Sequence, residues 1–493
     1  MTSSRSSRPS SGENCSQTAG EPTTNCPTDD EVVVERLIEQ VNYGGTDHQR
    51  EPPERRQYVN LDPSVSGGPH YDYGRVIYLR AKLRWRSGDQ TRSLEGKRVY
   101  WQVEPYQTNR TDLARSIKHG IDSAGARGTA RERTEANREG WTRVVPIYLS
   151  NYGDDKFKVR ATESNNYMGG MLSRLFNVWK KLYYTLGCMN RHDTGNYSDR
   201  VTEATVVSEY QNSFIELERV GEQSTLTHQL LVEKDQINTW ASANLPAAAP
   251  RTMNFALIDT LAKGAPIDFT REIDPPSNSH SITYSSGSYA FDLSAQNRWL
   301  TSAQYYDKRQ PAASRTMHTL PNNCVTLTLS GLDYNLTVDV SSIATDELPL
   351  NQIHVILNLK KRDFLSGCSS GPVTIVAMRW RERNYSGSEG DATLHTMMHE
   401  SGHFLGVAPK KLPDESQSDN PYYYDEGSLG VGVGPHCSKN VENPATVAEL
   451  PATPECIMYH EFRLTMHFCD KCSESLRGRD LSSPSVNGRS AGY

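Results

Sequence analysis

Asp391-Ala-Thr-Leu-His-Thr-Met-Met-His399-Glu400-Ser-Gly-His403-Phe-Leu-Gly406 decides how the C-terminal half of this chain is read. It reads as a helix. Asp391 or Thr393 is available to cap its start, and Gly406 suits a left-handed end. His399 and His403 are four residues apart, so they project from one face, one turn apart. Two imidazoles so placed can bind one Zn²⁺ at ~2.0–2.1 Å each. Glu400, next to the first, is placed to accept a proton from a water held there, as a general base. An exposed helix carrying two histidines by chance has the same pattern, so residues beyond the helix decide between the two.

A catalytic zinc site uses three protein ligands and an open fourth position. Six residues after His403 the chain has Pro409, which cannot ligate. Glu442, Glu449 and Glu461 lie further on, none in an obvious helical pattern. His436, in Gly432-Val-Gly434-Pro435-His436-Cys437, is the better third ligand, because glycine and proline suit a tight return of the chain. His395 lies one turn before His399, at the end away from Gly406, and suits a packed or hydrogen-bonded role better than ligation. His460 and His467 flank Cys456-Ile457-Met458-Tyr459. Either histidine, or the Tyr459 hydroxyl, could orient substrate or stabilise an oxyanion; surface roles are the alternative.

The nine cysteines stand at 15, 26, 188, 324, 368, 437, 456, 469 and 472. Cys15 and Cys26 read as unstructured thiols. Four of the nine crowd between Cys437 and Cys472, two of them as Cys469-x-x-Cys472. They read as a closed four-thiolate zinc site, with one or two disulfides such as Cys437–Cys456 as the alternative in an oxidising compartment.

Taken in order, the motifs are His399-Glu400-x-x-His403, Gly406, His436-Cys437, Cys456-x-Met458 and Cys469-x-x-Cys472. This order resembles the archaemetzincins, a metzincin-like family of zinc peptidases. The resemblance implies His399, His403 and His436 as ligands of a catalytic zinc and Glu400 as the base. It also implies Cys437, Cys456, Cys469 and Cys472 as ligands of a second, structural zinc, and a Met-turn at Met458 beneath the catalytic one. It spans residues 399–472 and is carried by motifs alone. Between Gly406 and His436 lie 29 residues, where the family has two. Large bacterial zincin-like proteins with immunoglobulin-like modules have a similar insertion before Gly-Pro-His-Cys, and the chain resembles these more closely.

Val373–Trp380, just upstream, reads as a strand, either an ordinary core strand or the sheet edge along which a peptide would align. Further out, the chain divides into four parts: a disordered tail over 1–65, a β-sandwich over 66–165, a catalytic α+β domain over 166–475, and a flexible tail over 476–493. The tail over 1–65 includes a short helix near Val32–Val41. In the sandwich, Ile77, Leu79, Ala81, Leu83 and Trp85 alternate with polar residues, as do Val99, Trp101 and Val103, and Phe157, Val159 and Ala161. Thr108–Gly140 reads as a long loop or small insertion. The block resembles bacterial immunoglobulin-like domains, which implies a spacer, adhesive or docking role. Leu172, Leu175, Phe176, Trp179, Leu182 and Tyr183 recur at helical steps, so Met168–Leu186 is predicted to be a core-packing helix. Thr202–Val220 is a weaker helix candidate. Residues 265–345 read as a β-rich insertion within the catalytic domain, with a strand returning at His354–Leu359.

Composition bounds the function classes. The net charge is −6, 36% of residues are hydrophobic and 23% charged. No apolar run approaches the ~20 residues of a membrane span. The absence of a long basic block speaks against nucleic acid as partner. Residues 1–30 lack the apolar core of a secretory signal, which leaves cytoplasmic synthesis with export by a non-classical or contractile injection route as the expectation. The partner expected is a peptide or protein substrate. The competing readings are a structural, adhesive or injection-associated protein with a stabilising zinc, and a secreted effector using the same chemistry.

Overall fold

The computed structural model describes residues 31–41, 44–47, 54–63, 72–107, 116–117, 130–191, 195–229, 231–247, 249–276, 279, 281–285, 289–290, 299–330, 333–407, 423–425, 435–438, 441, 447–449, 456–459, 465–479 and 481–482. The protein is β-rich and built from several sheets. Its N-terminal part runs through β1 (Val32–Val41), β2 (Gly44–Asp47), β3 (Glu54–Tyr58), β4 (Val76–Trp85), β5 (Arg98–Gln107), β6 (Ser116–Ile117), β7 (Arg131–Glu135), β8 (Val145–Tyr148), β9 (Lys156–Thr162), β10 (Met171–Leu172) and β11 (Leu175–Met189). One sheet, ordered β2-β1-β4-β8-β6, faces a second formed by β7, β5, β9 and the first third of β11. The alternating residues fill the space between them: Ile77, Leu79, Ala81, Leu83, Val99, Trp101, Phe157, Val159 and Ala161 are all buried. Burying one such Leu or Phe stabilises the fold by about 1.5–3 kcal/mol.

Three N-terminal expectations are corrected. Val32–Val41 is strand β1, not a helix, and pairs antiparallel with β4. β1 to β3 lie within the stretch expected to be a disordered tail, and Leu37 there is fully buried. The predicted helix over Met168–Leu186 is also replaced by strands, chiefly β11. The reason is burial on both faces. β11 passes through both halves of the molecule: Leu175–Trp179 pairs with β3 on the sandwich side, and Tyr183–Cys188 pairs with a strand of the C-terminal sheet. A strand covered on both faces loses period-two alternation, and its near-continuous apolar run then imitates helical spacing.

Beyond β11 come helix α1 (Glu203–Asn212), β12 (Ile215–Arg219), β13 (Ser224–Leu226), β14 (Val232–Glu233), helix α2 (Ile237–Asn244) and β15 (Thr252–Ile258). The helix candidate Thr202–Val220 is thus helical only in its first half. Phe214, with φ +59°, turns the chain into β12. β16 (Leu261–Ile273), β17 (Ser281–Ser285), β18 (Tyr289–Ala290), β19 (Leu300–Asp307), β20 (His318–Thr319), β21 (Val325–Ser330), β22 (Asp333–Asp339) and β23 (Ile353–Leu365) form the β-rich insertion. It has its own core around Val338, Ile353, Val355 and Leu357, and it extends beyond the expected 265–345. The strand expected at His354–Leu359 belongs to it, as part of β23.

The chain then returns to the sheet through β24 (Gly367–Ser370) and β25 (Val373–Ala377) and continues as helices α3 (Met378–Asn384) and α4 (Glu389–Phe404). β11, β15 and β25 are parallel, and β24 closes the sheet antiparallel at its edge. Val373–Trp380 is therefore not an edge strand: β25 is paired on both sides, and from Met378 the chain is helical. Near the end, β26 (Tyr423–Asp425) pairs with β27 (Pro435–Cys437), and helix α5 (Asp470–Gly478) follows. The flexible tail expected from 476 is corrected over its first residues. Leu476 and Leu481 are buried, and the buried Lys180 ammonium donates to the carbonyls of Leu476 and Arg477 at the end of α5. A cation is favoured at a helix C-terminus. Among the described residues, no helix is long and apolar enough to cross a membrane.

Candidate metal centres

α4 lies against β24 and β25, and Ala392, Leu394, Met397 and Met398 along it are buried. Its start differs from the expected cap. Ser388, not Asp391 or Thr393, stands at the N-cap, and Glu389 and Asp391 occupy the first turn, where the helix dipole favours carboxylates. Its end has Gly406 at φ +69°. Gly406 N–H donates to His403 O and Val407 N–H to Gly402 O, the paired bonds of a left-handed glycine termination. The chain therefore leaves the helix immediately beyond His403.

His399, His403 and His436 come together. One ring nitrogen from each lies within 4.8 Å of the others. The Nε2 atoms of His399 and His403 are 3.2 Å apart. Two nitrogens on one tetrahedral ion, at ~2.05 Å each, would be separated by about 3.3 Å. His399 Nδ1 donates to Ile457 O at 2.6 Å, which fixes the tautomer and leaves Nε2 with a free lone pair. Burial, reinforced by His403 and His436, holds the His399 imidazole well below its usual range. Burial likewise pushes His403 down to about 3. Both rings are thus neutral at physiological pH, the form that ligates a metal.

Glu400 retains some solvent exposure beside this cluster. Burial pushes its carboxyl up to about 7, against the lowering influence of His436, Arg381, Lys234 and a hydrogen bond from Ser369 N–H. β24 closes over it: a Cβ on Gly367 would meet Thr396 Cγ2 at 2.4 Å and Glu400 Cγ at 3.3 Å. Burial pushes His395 down to about 4, and its Nδ1 is bonded to Thr465 O at 2.8 Å; it stacks on His399 but is not part of the cluster.

Cys456–Tyr459 forms a tight turn in which Tyr459 N–H donates to Cys456 O at 3.1 Å. Met458 lies under α4, so close that a Cβ on Gly402 would meet its sulfur at 2.4 Å. Tyr459 is buried and His467 is exposed, while His460 lies outside the described residues, as do Pro409, Glu442 and Glu461. Glu449 is exposed and joins neither cluster.

The second cluster is Cys437, Cys456, Cys469 and Cys472, all buried, with sulfurs within 4.8 Å of one another. Cys437 and Cys469 sulfurs are 3.6 Å apart, and so are those of Cys456 and Cys472. None of the four is disulfide-bonded. A disulfide would hold its sulfurs at ~2.05 Å, whereas tetrahedral ligation at ~2.3 Å separates them by about 3.8 Å. The distances fit ligation. Hydrogen bonding from Cys437, Cys456 and Cys472 holds the Cys469 thiol well below its usual range, and Cys469 stands at the start of α5, where the helix dipole favours an anion.

Both donor sets thus suit a metal ion, and the two candidate centres are joined covalently at His436–Cys437. Three residues near the first centre carried no sequence signal. Ser369 lies in Gly-Cys-Ser-Ser, which has no strand alternation. Arg381 is fully buried with its guanidinium over the Trp380 ring. Glu209 on α1 accepts Phe468 N–H from the far end of the chain. Comparison with protein-family models and with curated proteins finds no match.

Proposed function

We propose that the chain is a zinc-dependent metallopeptidase of zincin type, with His399, His403 and His436 holding the catalytic ion and the four clustered cysteines holding a structural one. The observation that carries this reading is the convergence of three imidazoles beside a carboxylate that burial pushes up to about 7. Bound zinc would supply a Lewis acid that polarises a carbonyl and brings the pKa of a water to ~7. Glu400 takes the proton of the attacking water on a carboxylate oxygen and passes it to the leaving amine, the task of a group whose pKa lies near neutrality. Ser369 N–H holds that carboxylate in place, and the buried Arg381 charge opposes its protonation. Among the described residues β24 pairs along one edge alone, so an extended peptide adds along the other as a further strand and main-chain bonds align it without demanding particular side chains. The N-terminal sandwich is read as an immunoglobulin-like spacer or docking module, held firmly to the catalytic part by the shared β11.

Glu400→Gln tests the reading. It is expected to lower cleavage of an unstructured protein substrate by ~10²–10⁴-fold while metal content and melting temperature stay unchanged. Cleavage at the wild-type rate would remove Glu400 from the chemistry and the peptidase reading with it.

A further inference from the structure

Glu209 is a buried carboxylate that the chemistry above does not use. It sits on α1 and is 5% exposed. Its Oε1 accepts Phe468 N–H at 2.7 Å, and its Oε2 accepts from His467 Nδ1 at 2.9 Å and from Asn212 Nδ2 at 3.1 Å. A carboxylate removed from water is costly unless donors replace the water, and here three do. Two of them belong to one short piece of chain, so Glu209 fixes the position of the peptide between His467 and Phe468.

From that peptide a short chain of bonds reaches the histidine cluster. His467 O accepts Ile457 N–H at 2.9 Å. Ile457 O accepts His399 Nδ1–H at 2.6 Å. Next to Glu209, Tyr210 hydrogen-bonds Ser401 on α4 and packs its ring 5.8 Å from that of Phe468. α1 therefore grips the turn that orients His399 and the helix that carries it. We infer that Glu209 is a positioning residue for His399, placing the Ile457 carbonyl that sets the tautomer and angle of the ring. The inference rests on the reading of the histidine cluster as a metal site.

The test is metal affinity, read separately at the two centres. Co²⁺ serves as probe, because thiolate ligation gives strong charge-transfer absorption that imidazole ligation lacks. Competition against a chelator gives each affinity. In Glu209→Ala the histidine centre is expected to weaken by ~10–100-fold, as when other hydrogen-bond partners of a ligating histidine are lost, with the cysteine centre within about threefold of wild type. Glu209→Gln retains an oxygen for Phe468 N–H and is expected to fall between wild type and Ala. If Glu209→Ala does not fold, Glu209→Asp keeps the charge but shortens the reach, and the same selective loss is expected. Unchanged affinity at the histidine centre in a folded variant overturns the inference while leaving the peptidase reading intact. Equal weakening at both centres, without recovery by Gln, overturns it in favour of a general packing role. A wild-type protein that binds no metal at its histidines overturns both.

Discussion

The two candidate centres meet at His436–Cys437, yet they are built in opposite ways. The histidine cluster takes two of its three donors from one turn of α4. His399, Glu400 and His403 each keep some solvent exposure, and among the described residues the cluster has three protein donors. The cysteine cluster draws on three separate stretches of chain, has four donors and is buried throughout. A closed four-donor site has no position left for a reactant, whereas a three-donor site does. On the proposed reading, the difference gives the cysteines a folding role and the histidines a chemical one, even though both depend on the same turn. Ile457 orients His399, while Cys456 beside it belongs to the other cluster.

The sharpest way to break this division is to open the closed centre. Cys456→Ser is expected to have the largest effect of any single change here. Structural zinc in four-donor sites contributes apparent binding energies of ~10–16 kcal/mol to folding. Cys437, Cys456 and Cys472 are all nearly inaccessible, so their surroundings have no other filling. The variant should lose both metals, because the turn that orients His399 goes with Cys456, and its melting temperature should fall steeply. Metal content by mass spectrometry of the intact protein, with a thermal melt, checks both. A variant that kept its stability and its histidine-bound metal would show that the cysteines are not a folding element.

The converse change is His436→Ala. It removes one donor from the open centre and leaves Cys437 in place. One metal should be lost and the other kept, with a melting temperature shift of only a few degrees. Loss of both would mean that the two centres cannot be occupied independently, and the division of labour would fail from the other side.

The same contrast explains what could be read from sequence. His399, Glu400 and His403 were legible because helical spacing alone puts them on one face. The cysteines were legible because thiols crowd so rarely. His436 has no helical spacing to mark it and is read from elimination, from its Gly-Pro neighbourhood and from the resemblance. Long-range features carried no such mark. β11 reads as a helix because it is covered on both faces along most of its length, a property of its partners and not of Leu175–Met189 itself. Val373–Trp380 reads equally as a core strand or as the sheet edge, the latter because it stands just upstream of the helix. The true edge, Gly367–Ser370, is polar and small, as a strand closely packed on a helix must be. Glu209 lies 259 residues from the Phe468 amide it binds, and nothing local distinguishes it from other glutamates on a helix surface.

Gly402→Ala produces the smallest effect and gives the finest discrimination between the centres. In an isolated helix the change is favourable by up to ~1 kcal/mol. Here the new Cβ would meet the Met458 sulfur at 2.4 Å and Phe468 Cε1 at 3.4 Å. Overpacking of this kind costs about 1–3 kcal/mol, so the net change should be a modest loss of stability. The direction of relief matters more than its size. Met458 is a flexible side chain, but its backbone carbonyl accepts Cys437 N–H and its neighbour Ile457 accepts from His399. If the sulfur alone swings away, metal affinity at both centres stays at the wild-type level. If the turn moves as a unit, the histidine centre weakens first, because its orientation depends on one carbonyl, while four thiolates around an ion tolerate a small shift of one. A loss confined to the cysteine centre would contradict that ordering and place the more sensitive geometry at the closed site.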